Sequence, residues 1–145
     1  MKVWVFFYGS YMNLDVLAEV DYRPDAVEVA RLAGWDIRIA PRANLVPSAT
    51  HSVHGVLTTA THAELARLYA HAEDVLGEVY LPRAVLVETR DGRLVPALTY
   101  VCHDMAPRPA DPAYVERIVG PARRLGFPEA YIERLLVAGG SAGPS

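Results

Sequence analysis

Val3-Trp4-Val5-Phe6-Phe7-Tyr8 is β-branched or aromatic at every position, and Gly9-Ser10 follows at once. Such a run reads as a strand buried on both faces, so other elements must be wrapped around it. Asn13 is a good N-cap for a short helix from Leu14 to Val20, with Asp15 in its first turn. A strand that turns through glycine into a helix start aims several backbone N–H groups at one spot. That spot suits a carboxylate or a developing oxyanion. The same glycine equally serves a chain that merely has to turn.

The rest of the chain supplies the wrapping. Ala26–Leu32, Trp35–Ala40 and Ser52–Thr59 are strand-like runs punctuated by Gly34 and Pro41. Between them Pro41–His51 is polar and irregular, with Pro47 limiting any strand. Thr61-His62-Ala63-Glu64 is a capping box, which starts a helix at His62 whose core stripe is Leu65, Leu68 and Ala72. Tyr80–Thr89 and Leu94–Cys102 pair around Asp91-Gly92 as a hairpin, and Pro82 suggests an edge or a bulge. Asp111-Pro112 opens a helix that runs to about Leu125 and ends at Gly126. A shorter one, about Pro128–Val137, presents Tyr131, Leu135 and Leu136. The expectation is one α+β domain over residues 1–138, with a sheet core and about four helices, and a loose tail over 139–145.

Composition removes several classes of function. The 145 residues carry 14 Lys and Arg against 17 Asp and Glu, a net charge of −3, and only Arg123-Arg124 sit together. That disfavours a nucleic-acid partner, which needs clustered cations. The run Val3–Phe7 is too short to span a membrane or to form a signal core. A single cysteine, Cys102, excludes an internal disulfide and fits a reducing compartment. A cytoplasmic, cofactor-free protein, monomer or homodimer, is the expectation.

Three chemistries were available to such a chain. His51, His54, His62, His71 and His103 include no pair at helical ligand spacing, and His51 and His54 point to opposite faces of a strand, so no metal is expected. Ser10 lacks the glycine pattern of a nucleophile elbow, and Cys102 falls in a strand where thiols are buried and inert. Glu73, beyond a helix end and near Tyr69, could act alone as a base if its neighbours shielded it. Glu73-Asp74 could equally be a solvated pair ending the helix.

Taken in order, Tyr8-Gly9-Ser10, then Val53-His54-Gly55-Val56-Leu57 before a capped helix, then Glu73 and Tyr80, resemble the γ-glutamylcyclotransferase-like (AIG2-like) family. The stretch Tyr114–Tyr131 is similar to that family's closing helix and the short helix after it. The resemblance covers Val3 to Leu136. It implies a small mixed β-barrel with flanking helices and a cofactor-independent acyl transfer. In that reaction the α-amine of a γ-glutamyl group attacks its own γ-carbonyl, closing 5-oxoproline and expelling an amine or amino acid.

Carried over by position, the resemblance makes Glu73 the general base and Tyr8, Gly9, Ser10, Tyr11, Tyr80 and Tyr114 the substrate-binding set. Tyr80 can also be read as an ordinary strand aromatic, and Tyr114 as a helix residue packing on the barrel. Two departures stand out. Tyr11 replaces the family's usual Asn, and the stretch from Leu68 to Tyr80 is one residue long. Alignment from Leu68 puts the base on Ala72, and alignment from Tyr80 puts it on Glu73. Glu73 is favoured because the preceding helix turn can absorb the extra residue. A rival reading keeps the pocket for a small carboxylate or amine but loses the chemistry. A third would be a hydrolase using Ser10 or Cys102. Arg42 and Asn44 are expected to be solvated.

Overall fold

The computed structural model describes residues 1–140. Five strands close into a barrel in the order β1-β3-β2-β4-β5: β1 (Lys2–Phe7), β2 (Glu28–Ile39), β3 (Ala43–Thr61), β4 (Leu81–Thr89) and β5 (Leu94–Val101). The pairings are antiparallel except β1 with β5, where Val5 faces Leu98 in parallel. The mixed barrel with flanking helices is the architecture expected from the sequence.

β1 earns its place at the centre by composition. Val5, Phe6 and Phe7 are buried, so the second half of the strand is covered on both faces as expected, whereas Trp4 is 42% exposed and the first half is not. Its end lies against Gly55 of β3. A Cβ on Gly55 would come within 2.2 Å of the Phe7 carbonyl oxygen and 2.7 Å of the Phe6 ring, so no side chain fits there.

The strand reading needs one correction. Pro41–His51 is not irregular: β3 starts at Ala43 and runs through Pro47. Pro47 faces Trp35 beside the register shift between Ala33 and Trp35, a break in the ladder where an N–H is not required. The same bulge joins the two shorter runs into one β2.

Four helices flank the barrel: α1 (Leu14–Ala18), α2 (His62–His71), α3 (Pro112–Arg124) and α4 (Glu129–Ala138). α1 stops two residues earlier than expected. Both halves of the capping box form at α2, with Glu64 N–H donating to Thr61 Oγ1 and Thr61 N–H to Glu64 Oε1. Leu65 and Leu68 are buried as its stripe requires. α2 does not end at His71 but widens into a π turn, Ala72–Leu76, closed by Gly77 at φ +80°. A π turn accommodates one extra residue in a helix. α4 is held to β2 by Arg134, whose Nε donates to Asp36 Oδ1 at 2.7 Å and whose Nη2 pairs with Oδ2. Among the described residues no helix is long and apolar enough to cross a membrane. Most of the expected C-terminal tail, 141–145, lies outside the described residues.

Two outcomes follow for stability. Gly55→Ala should destabilise the fold by about 3 kcal/mol, the upper end for overpacking, because the clash is with backbone; urea denaturation measures it. Burial alone would raise the Asp36 carboxyl, but the bonded Arg134 guanidinium outweighs it and holds the group below the usual carboxylate range. Its contribution is therefore present above the unfolded carboxylate range near pH 4 and lost as pH falls through the lower folded value. Thermal midpoints should drop more steeply below about pH 4 in the native chain than in Asp36→Asn.

Candidate functional site

The end of β1 runs through Tyr8 and Gly9 into a single 3-10 turn, Ser10–Met12. That turn's own hydrogen bonds begin with Met12 N–H to the Gly9 carbonyl and Asn13 N–H to the Ser10 carbonyl, both 3.0 Å. The Ser10 and Tyr11 amides therefore have no acceptor within the turn. Gly9 is glycine because of a close approach: a Cβ there would lie 2.7 Å from the Ala43 Cβ.

Ala43 is in turn bracketed by two phenols. Its N–H donates to Tyr114 Oη at 2.9 Å, and its carbonyl accepts from Tyr80 Oη at 2.5 Å. Tyr80 and Tyr100 meet edge to face at 5.3 Å, and Arg42 lies over the Tyr114 ring at 4.7 Å while donating to the Leu76 carbonyl. Gly9, Ser10, Tyr11, Ala43, Leu76, Tyr80, Tyr100 and Tyr114 thus line one small cavity of about 10 Å³. That is about the room one water needs. Burial pushes the Tyr80 and Tyr114 phenols above their usual range, so both act as neutral donors or acceptors.

Of the residues singled out in the sequence, Gly9, Ser10, Tyr11, Tyr80 and Tyr114 come together here. Tyr8 does not line the cavity. It is fully buried, stacked on Tyr100 at 4.5 Å, with its hydroxyl donating to the Tyr100 carbonyl. Tyr11 reaches away from the turn to α2, where Oη donates to the Leu68 carbonyl at 3.1 Å and lies 3.0 Å from His71 Nδ1. An Asn at this position would be too short for that span.

Glu73 is placed differently from the expectation. Its side chain is exposed and lines neither this cavity nor the apolar one beneath α2. The physical reason is the π turn, whose extra residue leaves Ala72 buried against Tyr11, Tyr80 and Tyr100 and turns Glu73 outward. Among the described residues no carboxylate lines either space.

Sequence reasoning missed three participants. Tyr100 lies in the middle of the tyrosine group, and its signal was only strand alternation in β5. Asn44, expected in solvent, is buried and tied twice to Cys102, Nδ2 donating to the carbonyl and Oδ1 accepting the N–H. Glu78 is buried two residues before Tyr80, 3.7 Å from both the Cys102 thiol and Arg108 Nη2. Burial raises that thiol above its usual range, which disfavours Cys102 as a nucleophile. Among the described residues no group of His, Cys, Asp or Glu is arranged to hold a metal.

Larger hollows lie elsewhere on the surface, including one of about 370 Å³ between Asn13, Val56 and Arg124 and one of about 360 Å³ around His54 and Arg31. Neither gathers tyrosines around the Gly9 turn, so the small tyrosine-lined cavity is the better candidate.

The chain matches the family described as "Gamma-glutamyl cyclotransferase, AIG2-like" over residues 5–117. No curated protein matches it. Among solved structures it is similar to one named gamma-glutamyl cyclotransferase, at 23% identity and TM-score 0.76, covering 93% of this chain and 86% of that one. YkqA from Bacillus subtilis is 26% identical with TM-score 0.78, over 99% of this chain and 56% of that one. An AIG2-like protein from Mus musculus is 18% identical with TM-score 0.59, over 79% and 82%. The family match takes in the Gly9 turn, Ala43, Tyr80, Tyr100 and Tyr114 together, and the chain belongs to the gamma-glutamyl cyclotransferase, AIG2-like family.

Proposed function

We propose that this protein is a γ-glutamyl cyclotransferase releasing 5-oxoproline from a γ-glutamyl peptide or amine. The observation that carries the reading is the Gly9 turn packed on a fixed Ala43, with the Ser10 and Tyr11 amides unused by the turn itself. Ring closure is intramolecular, so the protein needs only to fold the substrate, accept a proton and stabilise one oxyanion. Two amides on a rigid turn meet the last need. Tyr80, Tyr100 and Tyr114 beside the turn supply the walls against which a substrate would fold.

One observation favours a second reading, a module that binds a small carboxylate or amine without turnover: Ala72, not a carboxylate, faces the tyrosines. The same assay separates the two.

The native chain should release 5-oxoproline from at least one of γ-glutamyl-alanine, glutathione and a γ-glutamyl alkylamine. Because its carboxylate is exposed, Glu73→Gln should keep that activity within about threefold. A fall of about 10²-fold or more would restore Glu73 as the base. Binding by calorimetry with no release across the panel would favour the module. Tyr114→Phe leaves the Ala43 N–H without its partner and should cost about 1–3 kcal/mol of stability, read from thermal unfolding.

A further inference from the structure

Arg42 stands apart from the other cations of this chain. Of the 14 Lys and Arg side chains only Arg42 and Arg134 are drawn in from solvent. Arg134 is paired with Asp36, whereas Arg42 is in no ion pair among the described residues. Its guanidinium lies 4.7 Å from the centre of the Tyr114 ring, and Nε donates to the Leu76 carbonyl at 3.1 Å. An arginine offers five N–H donors in a planar fork, so most of this one's capacity is left over. A half-buried charge with no opposite charge beside it is costly to keep, and an anion bound to the fork removes that cost.

Arg42 also borders a hollow of about 380 Å³ formed with Pro41, Arg108, Pro109 and Asp111. That volume lies within the range of small-molecule sites. Arg108 is held there by its backbone N–H, which donates to the Ala40 carbonyl at 3.4 Å, and its Nη2 stands 3.7 Å from Glu78 Oε1. That separation is too long for a hydrogen bond, and the Arg108 side chain is 65% exposed, so its fork is open to a second acceptor. Asp111, the carboxylate among the lining residues, has Oδ1 committed to the Ala113 N–H at 2.8 Å, where it caps α3. Two arginines thus border one space, and Arg42 touches Tyr114 and Leu76, which line the tyrosine cavity.

We propose that Arg42 and Arg108 form a carboxylate subsite for the leaving side of the substrate, so that this chain selects γ-glutamyl amino acids over γ-glutamyl amines. The placement of the γ-glutamyl group at the Gly9 turn rests on the cyclotransferase reading above. In a γ-glutamyl α-amino acid a single carbon separates the leaving nitrogen from its carboxylate. That carboxylate therefore binds next door to the reacting carbonyl, and Arg42 is the arginine that borders both spaces. A planar fork matches a carboxylate through two parallel N–H···O bonds, and Arg108 across the hollow adds a second positive charge. The hollow is larger than a carboxylate alone requires, which leaves room for the side chain of the departing amino acid. A γ-glutamyl amine has no group to offset the Arg42 charge.

The test compares γ-glutamyl-alanine with γ-glutamyl-ethylamine, which differ only by the leaving-side carboxylate. The native chain should prefer γ-glutamyl-alanine by about tenfold or more in kcat/KM, the difference a charge-assisted hydrogen bond makes. Arg42→Gln and Arg108→Gln should each shrink that ratio severalfold, chiefly by raising KM for γ-glutamyl-alanine. An Arg42 that merely clasps Tyr114, or that binds the α-carboxylate common to both compounds, would instead lower both together. A native ratio within about threefold of one, or a ratio unchanged in both variants, overturns the subsite while leaving the cyclotransferase reading in place. Calorimetry on the same pair reads the subsite without turnover: equal affinities overturn it whether or not either compound reacts. Tighter binding of γ-glutamyl-alanine with no 5-oxoproline from either compound supports the subsite and overturns the cyclotransferase reading.

Discussion

The Ala43 peptide group is the fixed point of this molecule. Two phenols from opposite sides of the chain, Tyr80 before β4 and Tyr114 in α3, take up its carbonyl and its N–H. Both bonds are buried, where an unmade hydrogen bond costs far more than a made one gains, so the three segments are locked together by the penalty for parting. Gly9 then sits directly on the Ala43 methyl. The position of the site turn is set by this contact rather than by the turn's own hydrogen bonds.

Tyr11 and Ala72 read together as an exchange of volume. A family position usually filled by Asn carries a large aromatic here, and the facing helix position carries a methyl. The Tyr11 ring and Ala72 line the same apolar space beneath α2, and the Tyr11 hydroxyl reaches the Leu68 carbonyl and His71. Close-packed interiors tolerate such swaps when total volume is kept.

Much of the fold was legible because its signals are local. The apolar run of β1, the capping box at Thr61, the Asp91-Gly92 hairpin and the Asp111-Pro112 helix start each follow from a few adjacent residues. Pro47 misled because its tolerance depends on a register shift opposite Ala33 and Trp35, which only pairing reveals. The site was half legible for the same reason. Tyr8-Gly9-Ser10 announces a turn, yet Tyr8 serves the core and Tyr100, a plain strand residue, supplies the wall. Whether Ala72 or Glu73 faces inward turns on a single residue accommodated by a π turn, a choice that spacing alone leaves undecided.

The proposed oxyanion seat is one location, the amides of Ser10 and Tyr11 above Ala43. A crystal structure with 5-oxoproline bound tests it most directly. The ring carbonyl oxygen should lie about 3 Å from those amides, the distance an oxyanion donor requires, with Tyr80 and Tyr114 still holding Ala43. Density for the ligand only in the groove between Asn13, Val56 and Arg124, with the tyrosine cavity unchanged, would contradict it.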